Sequence, residues 1–320
     1  RVSHRRALTP PGSFRRDIFH LLPAIFPLVH ILWLILFRQA RSMNVYQYLY
    51  YRSFGISLVA VLLFALVLPA HGQAPRPLPE SGVQRLFAGK EGALVIIDCS
   101  SGAVRSYGTG VATEPLPPCS TFKIWNALIG HETGLLTDPD QGFYTWDGQT
   151  RAIASWNRDL TLREAFQVSC VPAFQALART IGHERMQSWL RSIDYGDRDI
   201  SAGIDCFWLP AKNRKTILIT PTEQALLMQK LVSGALPFSP RAFSFLKELM
   251  RCRKTDRGTL YGKTGSGTDA KGRCMLGCFV GFVETQDGLY CFACAVKGEQ
   301  VTGKDVRAIV EAFLEEQGYV

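Results

Sequence analysis

Ser120-Thr121-Phe122-Lys123 and, 140 residues beyond that lysine, Lys263-Thr264-Gly265 organise the whole chain. A serine and a lysine three positions apart share one helix face, because the helix repeats every 3.6 residues. The amine then lies within reach of the hydroxyl, which is the nucleophile-plus-base arrangement of covalent acyl transfer. One such pair is weak evidence, since a Ser-x-x-Lys spacing arises by chance about once in a chain of this length. Ser244-Phe245-Leu246-Lys247 is a second copy. The two differ in context. Pro117-Pro118 lead into Ser120 as they would into a helix start, and Phe122, Ile124, Trp125, Ala127, Leu128 and Ile129 make the following helix apolar on nearly every side. A lysine inside such a helix is costly unless it has a task or a partner. Ser244-x-x-Lys247 lacks that setting and reads as a solvated helix face.

Outward from this core, Ala93–Asp98 reads as a buried strand that Ser100-Ser101-Gly102 turns back towards Val104–Tyr107. Thr161-x-x-Glu164 is a capping box for a helix through Val168, and Gly182–Ile193 continues helically. Thr220-Pro221-Thr222-Glu223 opens another capped helix that ends at Gly234. Strands return at Leu260–Thr264, Met275–Glu284 and Leu289–Lys297, the last two joined by an Asp287-Gly288 turn. An amphipathic helix over Asp305–Gln317 closes the chain. Strands at both ends with helices between them predict an α+β fold. Its central antiparallel sheet is built from the N- and C-terminal segments and flanked by helices, with an all-helical lobe inserted at about residues 120–250. Ser120 is expected where lobe meets sheet, and Lys263 on a facing edge strand.

Charge is unevenly distributed. Residues 1–72 hold eight Arg and one Asp, so +7 of the net +9 lies there, and no basic-aromatic interleaving follows. The basic balance therefore gives no support to a nucleic-acid partner. From Met43, a short n-region ending at Arg52, the apolar run Phe54–Leu68 and the small-residue site Pro69-Ala70-His71-Gly72 form a secretory signal over 43–72. That signal predicts a periplasmic or secreted product starting at Gln73. Residues 1–42 are expected to be an upstream extension outside the natural product; a membrane segment at Phe19–Phe37 is the other reading. All nine cysteines follow residue 73, where export permits disulfides, and the odd number leaves at least one thiol free or paired elsewhere. Cys274-x3-Cys278 and Cys291-x2-Cys294 approach zinc spacing, yet both lie in apolar alternating segments and read as small hydrophobes in strands. The six histidines are scattered without a metal-ligand spacing, so no metal is expected.

Ser169-Cys170-Val171 follows the capped helix 49 residues after Ser120, and Lys263 follows Ser169 by 94. Ser-x-x-Lys, a second serine and Lys-Thr-Gly in this order match the motif set of penicillin-recognising serine enzymes. The valine at 171, where many of these have asparagine, narrows the match. The chain resembles the class D (OXA-type) serine β-lactamases over roughly residues 80–318. The resemblance rests on Pro118–Ile124, Asn126–Gly130, His131–Gly134, Trp146–Gly148, Arg158–Ala165, Gln167–Pro172, Arg185–Gln187, Tyr195-Gly196, Ile204–Leu209 and Gly262–Gly267. Three features depart from the family pattern. Asp197 follows Tyr195-Gly196 in place of Asn, Cys278 and Phe282 replace two tryptophans, and nine cysteines is many.

The resemblance implies hydrolysis of a small-molecule β-lactam. Ser120 is the nucleophile, and Lys123 is the general base once N-carboxylated by carbon dioxide, with no other cofactor. Val171 keeps the pocket dry, and the Trp208 indole N–H holds the carbamate. Ser169 relays a proton to the leaving nitrogen while Lys263 stabilises negative charge. Gly265 admits the substrate, the backbone N–H groups of Ser120 and Ser266 form the oxyanion hole, and Thr264 and Arg307 take the substrate carboxylate. Two alternatives stand beside this one. A penicillin sensor is acylated without turnover and needs membrane spans. A cell-wall transpeptidase or carboxypeptidase is disfavoured by Ser-x-Val and Trp208.

Overall fold

A computed structural model describes residues 76–77 and 80–320; the stretches read as an upstream extension and as a secretory signal, and the run Phe19–Phe37, lie outside the described residues. The described chain opens with β1 (Arg76–Pro77), α1 (Glu80–Phe87), β2 (Glu91–Asp98) and β3 (Val104–Tyr107). The helical segment follows: α2 (Thr109–Ala112), a 3-10 turn over Cys119–Phe122, and α3 (Lys123–Glu132). A small hairpin, β4 (Gly142–Tyr144) and β5 (Leu160–Thr161), precedes α4 (Leu162–Gln167), α5 (Val171–Ile181) and α6 (His183–Ser192). After α7 (Pro221–Val232) and α8 (Pro240–Met250) the chain returns to β6 (Arg251–Lys254), β7 (Gly258–Thr268), β8 (Cys274–Thr285) and β9 (Leu289–Lys297), and ends in α9 (Gly303–Glu316).

Seven strands form one sheet in the order β1-β3-β2-β9-β8-β7-β6. All pair antiparallel except β1, which runs parallel to β3. N- and C-terminal segments thus meet at the β2–β9 ladder, which joins all eight residues of β2, Glu91 to Asp98, to Lys297–Tyr290. Side chains alternate across the strands. Ala93, Val95, Ile97, Cys278, Val280, Phe282, Ala293 and Ala295 face the core beneath the helical segment. Leu94, Ile96, Phe279, Val283, Phe292 and Val296 face a second core with Val83 and Phe87 of α1 and Val306, Val310 and Phe313 of α9. Two covered faces explain why β2, β8 and β9 read as nearly unbroken apolar runs.

The capping boxes at Thr161/Glu164 and Thr220/Glu223 form as expected, with Pro221 at the first helical position. A third box, Thr302/Asp305, starts α9 two residues ahead of the expected Asp305. Lys263 is not on the edge strand, because β6 lies beyond β7. β6, however, pairs only with Thr259–Tyr261, so the stretch from Lys263 onward has a partner on one side alone. The second Ser-x-x-Lys belongs to α8, where Ser244 Oγ bonds the Pro240 carbonyl at 3.0 Å and Lys247 pairs with Glu284 at 2.5 Å. It is a partly solvated helix face, as expected.

Asp197 needs no special account. Its Oδ1 accepts from the N–H groups of Asp199 and Leu218, each at 3.1 Å, and an asparagine oxygen in the same place accepts the same two bonds. Phe282 stacks on Tyr261 at 4.7 Å between centroids, so an aromatic contact is kept where the family carries tryptophan.

α9 docks on β7 through a glycine. A Cβ on Gly303 meets the Gly265 carbonyl oxygen at 2.6 Å and its nitrogen at 2.9 Å, both backbone atoms that cannot swing aside. Gly303→Ala is therefore expected to cost about 1–3 kcal/mol through overpacking, seen as a lower urea midpoint at unchanged slope.

Candidate active site

Ser120 lies within the 3-10 turn Cys119–Phe122, and α3 starts at Lys123. Three residues per turn bring positions i and i+3 directly into line, closer than an α-helix would. Lys123 Nζ lies 2.9 Å from Ser120 Oγ. The turn is entered through Cys119 at φ 52°, a left-handed backbone that a side-chain-bearing residue adopts at a cost. Ser169, just beyond α4, has φ 57°. Two strained residues, one next to the first serine and one the second serine itself, mark this region as one whose geometry is held by its surroundings.

Lys123 is fully buried and Lys263 is 3 % exposed. Lys123 Nζ lies over the Phe174 ring at 5.4 Å, and Lys263 Nζ over the Phe166 ring at 5.6 Å. Those two rings pack edge to face with each other, so neighbouring aromatics on α4 and α5 floor both ammonium sites. Burial holds the Lys123 amine well below the ordinary lysine range, and the nearby Lys263 charge lowers it further. Burial pulls Lys263 down to about 8. Its Nζ donates to the Thr264 carbonyl at 3.0 Å and lies 3.4 Å from Thr264 Oγ1.

Gly265 is enclosed on both faces. A Cβ there meets the Pro118 carbonyl at 3.0 Å and Thr121 Cγ2 at 3.1 Å, while Gly303 presses from the α9 side. The absence of a side chain is what lets β7 lie flat against the turn that carries Ser120. Ser266 Oγ accepts from the Gly303 N–H at 2.9 Å, locking the next residue of β7 to α9.

Ser169 Oγ and Trp208 Nε1 are both buried without a hydrogen-bond partner among the described residues. Trp208 is fully buried and stacks on Phe122, the residue before Lys123, at 5.7 Å. Asn126, Tyr144, Tyr195 and Arg214 also carry buried side-chain polar atoms without such a partner, so the two groups are free to bond a ligand but are not singled out by this alone. Val171 opens α5 immediately after Ser169-Cys170 and is part-buried. Arg307 is engaged elsewhere: its Nε bonds Glu311 at 2.8 Å and its Nη2 reaches the Cys252 carbonyl at 3.5 Å. Among the described residues its hydrogen bonds and ion pair go to Glu311 and Cys252 and do not join it to the serine–lysine cluster. Among the described residues no group of His, Cys, Asp and Glu is arranged to hold a metal ion.

Sequence reasoning missed the aromatic floor. Phe166 and Phe174 read as ordinary core residues of two helices, and only the tertiary approach of α3 and β7 sets Lys123 and Lys263 over them. The Glu311 partner of Arg307 was signalled by its i,i+4 spacing.

The sequence matches the family described as the penicillin binding protein transpeptidase domain over residues 86–315. It is similar to the probable β-lactamase YbxI of Bacillus subtilis (strain 168), 38% identical over 220 residues that make up 69% of this chain and 79% of that protein. Among solved structures, a class D β-lactamase from Bacillus subtilis aligns with TM-score 0.69 at 37% identity, covering 74% of this chain and 96% of that one. The regulatory protein BlaR1 of Bacillus licheniformis is more distant, 30% identical over 228 residues that span 71% of this chain and 37% of that longer protein.

Proposed function

This chain belongs to the penicillin-binding transpeptidase-domain family and, within it, to the class D β-lactamases; from that premise we propose that it opens β-lactams through an ester on Ser120, with Lys123 N-carboxylated. The observation that carries the reading is the Ser120 Oγ–Lys123 Nζ contact of 2.9 Å at a fully buried lysine. Burial favours the neutral amine, and a neutral amine is the form that reacts with carbon dioxide. Two donors are available to the group in this reading: the Trp208 indole N–H, on a ring stacked against Phe122, and the Ser169 hydroxyl, both buried without other partners among the described residues. Once bound to Nζ, carbon dioxide supplies a carboxylate oxygen basic enough to serve both half-reactions.

The chain's own residues account for the rest. Ser120 Oγ attacks the strained carbonyl as its proton passes to the Lys123 head group. The N–H groups of Ser120 and Ser266 bind the developing oxyanion, each contributing about 3–4 kcal/mol. Ser169 hands a proton to the departing ring nitrogen, and Lys263 offsets the negative charge gathered there. Thr264 and Arg307 meet the substrate carboxylate, which for Arg307 requires release from Glu311. Val171 and the Phe166–Phe174 floor keep water from the lysines until the ester is to be hydrolysed. The substrate is a small-molecule β-lactam, and the site of action is the periplasm or the medium after signal removal.

Brief acid exposure protonates Lys123 and expels its carbon dioxide. Activity measured on return to neutral pH in degassed buffer is expected to be at least about tenfold below that of the same sample given bicarbonate, given a general-base contribution of about 10²–10⁴. Equal activity in both buffers sinks the carboxylation while leaving the Ser120 ester intact.

A further inference from the structure

We propose that Cys99 and Cys291 are a cross-linking site, forming a disulfide that fastens the end of β2 to β9. Their sulfurs lie 3.4 Å apart. The β2–β9 ladder pairs Ile97 with Cys291 and continues one step past β2, where the Cys99 N–H donates to the Leu289 carbonyl at 2.9 Å. Cys99 is thus the diagonal neighbour of Cys291 on the same face of the sheet, and both pack into the core beneath the helical segment. Closing the bond needs the sulfurs to approach by about 1.4 Å, within the reach of side-chain rotation at two ordered backbones.

The two thiols divide the chemistry. Cys99 is part-buried at the sheet's end, where a small disulfide can reach it, and Cys291 is fully buried behind it. The thiol hydrogen bond between them holds Cys99 below its ordinary value and Cys291 above. The Cys99 thiolate attacks one sulfur of a small-molecule disulfide and expels one thiol, giving a mixed disulfide. Cys291 then loses its proton and attacks Cys99 Sγ, expelling the second thiol. Two protein thiols are oxidised and the donor disulfide is reduced to two thiols, so the exchange balances. The other candidates are poorer. Cys119, Cys278 and Cys294 are buried, and burial pushes their thiols up.

The link is worth having because of what it encloses. The two residues are 192 positions apart, so the bond closes the whole helical segment and the six strands β3 to β8 into one loop. A long loop is where a cross-link restricts the unfolded chain most.

The test uses the full chain, treated with oxidised glutathione or with dithiothreitol, then alkylated and digested without reduction. The expected product is a Cys99–Cys291 peptide pair, an intact mass lower by two hydrogens, and a thermal midpoint higher by about 5–15 °C in the oxidised sample. Cys99→Ser, a change at the more exposed partner, is expected to abolish both the pair and the shift while folding normally. The proposal is overturned if both thiols remain alkylatable after oxidation, if glutathione stays attached at Cys99, if the linked peptides join other cysteines, or if the midpoint does not rise.

Discussion

Replacing Lys123 by alanine is expected to lower β-lactam turnover by about 10²–10⁴-fold and to leave an ester on Ser120 that persists instead of clearing. The side chain is the group nearest the Ser120 hydroxyl, 2.9 Å away, and it is fully buried. Among the described residues Ser120 Oγ has no hydrogen bond to a carboxylate that could take over as base. Truncation relieves the cost of burying an amine but leaves a cavity where the side-chain methylenes packed, so the two effects oppose each other and the variant is expected to remain folded with a modestly changed thermal midpoint. Loss of activity together with loss of the fold would mean that Lys123 is a packing element. Bicarbonate is expected to give no rescue, because the variant has no amine to carboxylate. Turnover and intact mass, followed together over a penicillin time course, read out all three expectations.

The second large effect sets activity against stability. Lys263 is nearly fully buried with its ionisation held at about 8, against 10.5 for an ordinary lysine. Below pH 8 both folded and unfolded chains carry the proton, and the fold bears the full cost of a buried ammonium. Between about pH 8 and 10.5 the folded state releases its proton first, so this cost fades and stability rises with pH across that window. A gap of 2.5 units corresponds to about 3 kcal/mol. Lys263→Met is therefore expected to raise the thermal midpoint at pH 7 by about 3–10 °C, after allowing for the lost bond to the Thr264 carbonyl. The same change is expected to cost about 10²–10³ in turnover by removing the cation that offsets transition-state charge. A midpoint that falls would show that Lys263 supports the fold and that its burial is not a sacrifice to function.

Much of this site was legible in the chain because its parts announce themselves locally. Capping boxes at Thr161 and Thr220 fix helix starts through bonds made within four residues, and they formed where the sequence put them. β9 matches its expected bounds, Leu289–Lys297, because a turn dipeptide and a charged lysine bracket an apolar run. The Ser120–Lys123 contact follows from spacing alone, although a 3-10 turn rather than an α-helix delivers it. What stayed hidden depends on distant partners. β6 covers only the first part of β7, and that decides how much of the strand bearing Lys263 is open. The ring floor under the two lysines needs β7 to bring Lys263 over Phe166 and α3 to bring Lys123 over Phe174, and the 3.4 Å approach of Cys99 to Cys291 needs the two ends of the chain to pair. The helix Pro240–Met250 around Ser244-x-x-Lys247 was legible as a helix face, and its start is set by the Ser239 side-chain cap with Pro240 at the first helical position.

The central claim is that Ser120 carries an ester that forms and clears. Intact mass of the 73–320 protein, sampled through a penicillin time course while substrate depletion is followed, tests it most directly. The account predicts an adduct on Ser120 that is present while substrate lasts and gone when it is exhausted, over many turnovers, with no adduct in Ser120→Ala. An adduct that remains for hours with one equivalent consumed would contradict it and point to a penicillin sensor or a cell-wall enzyme.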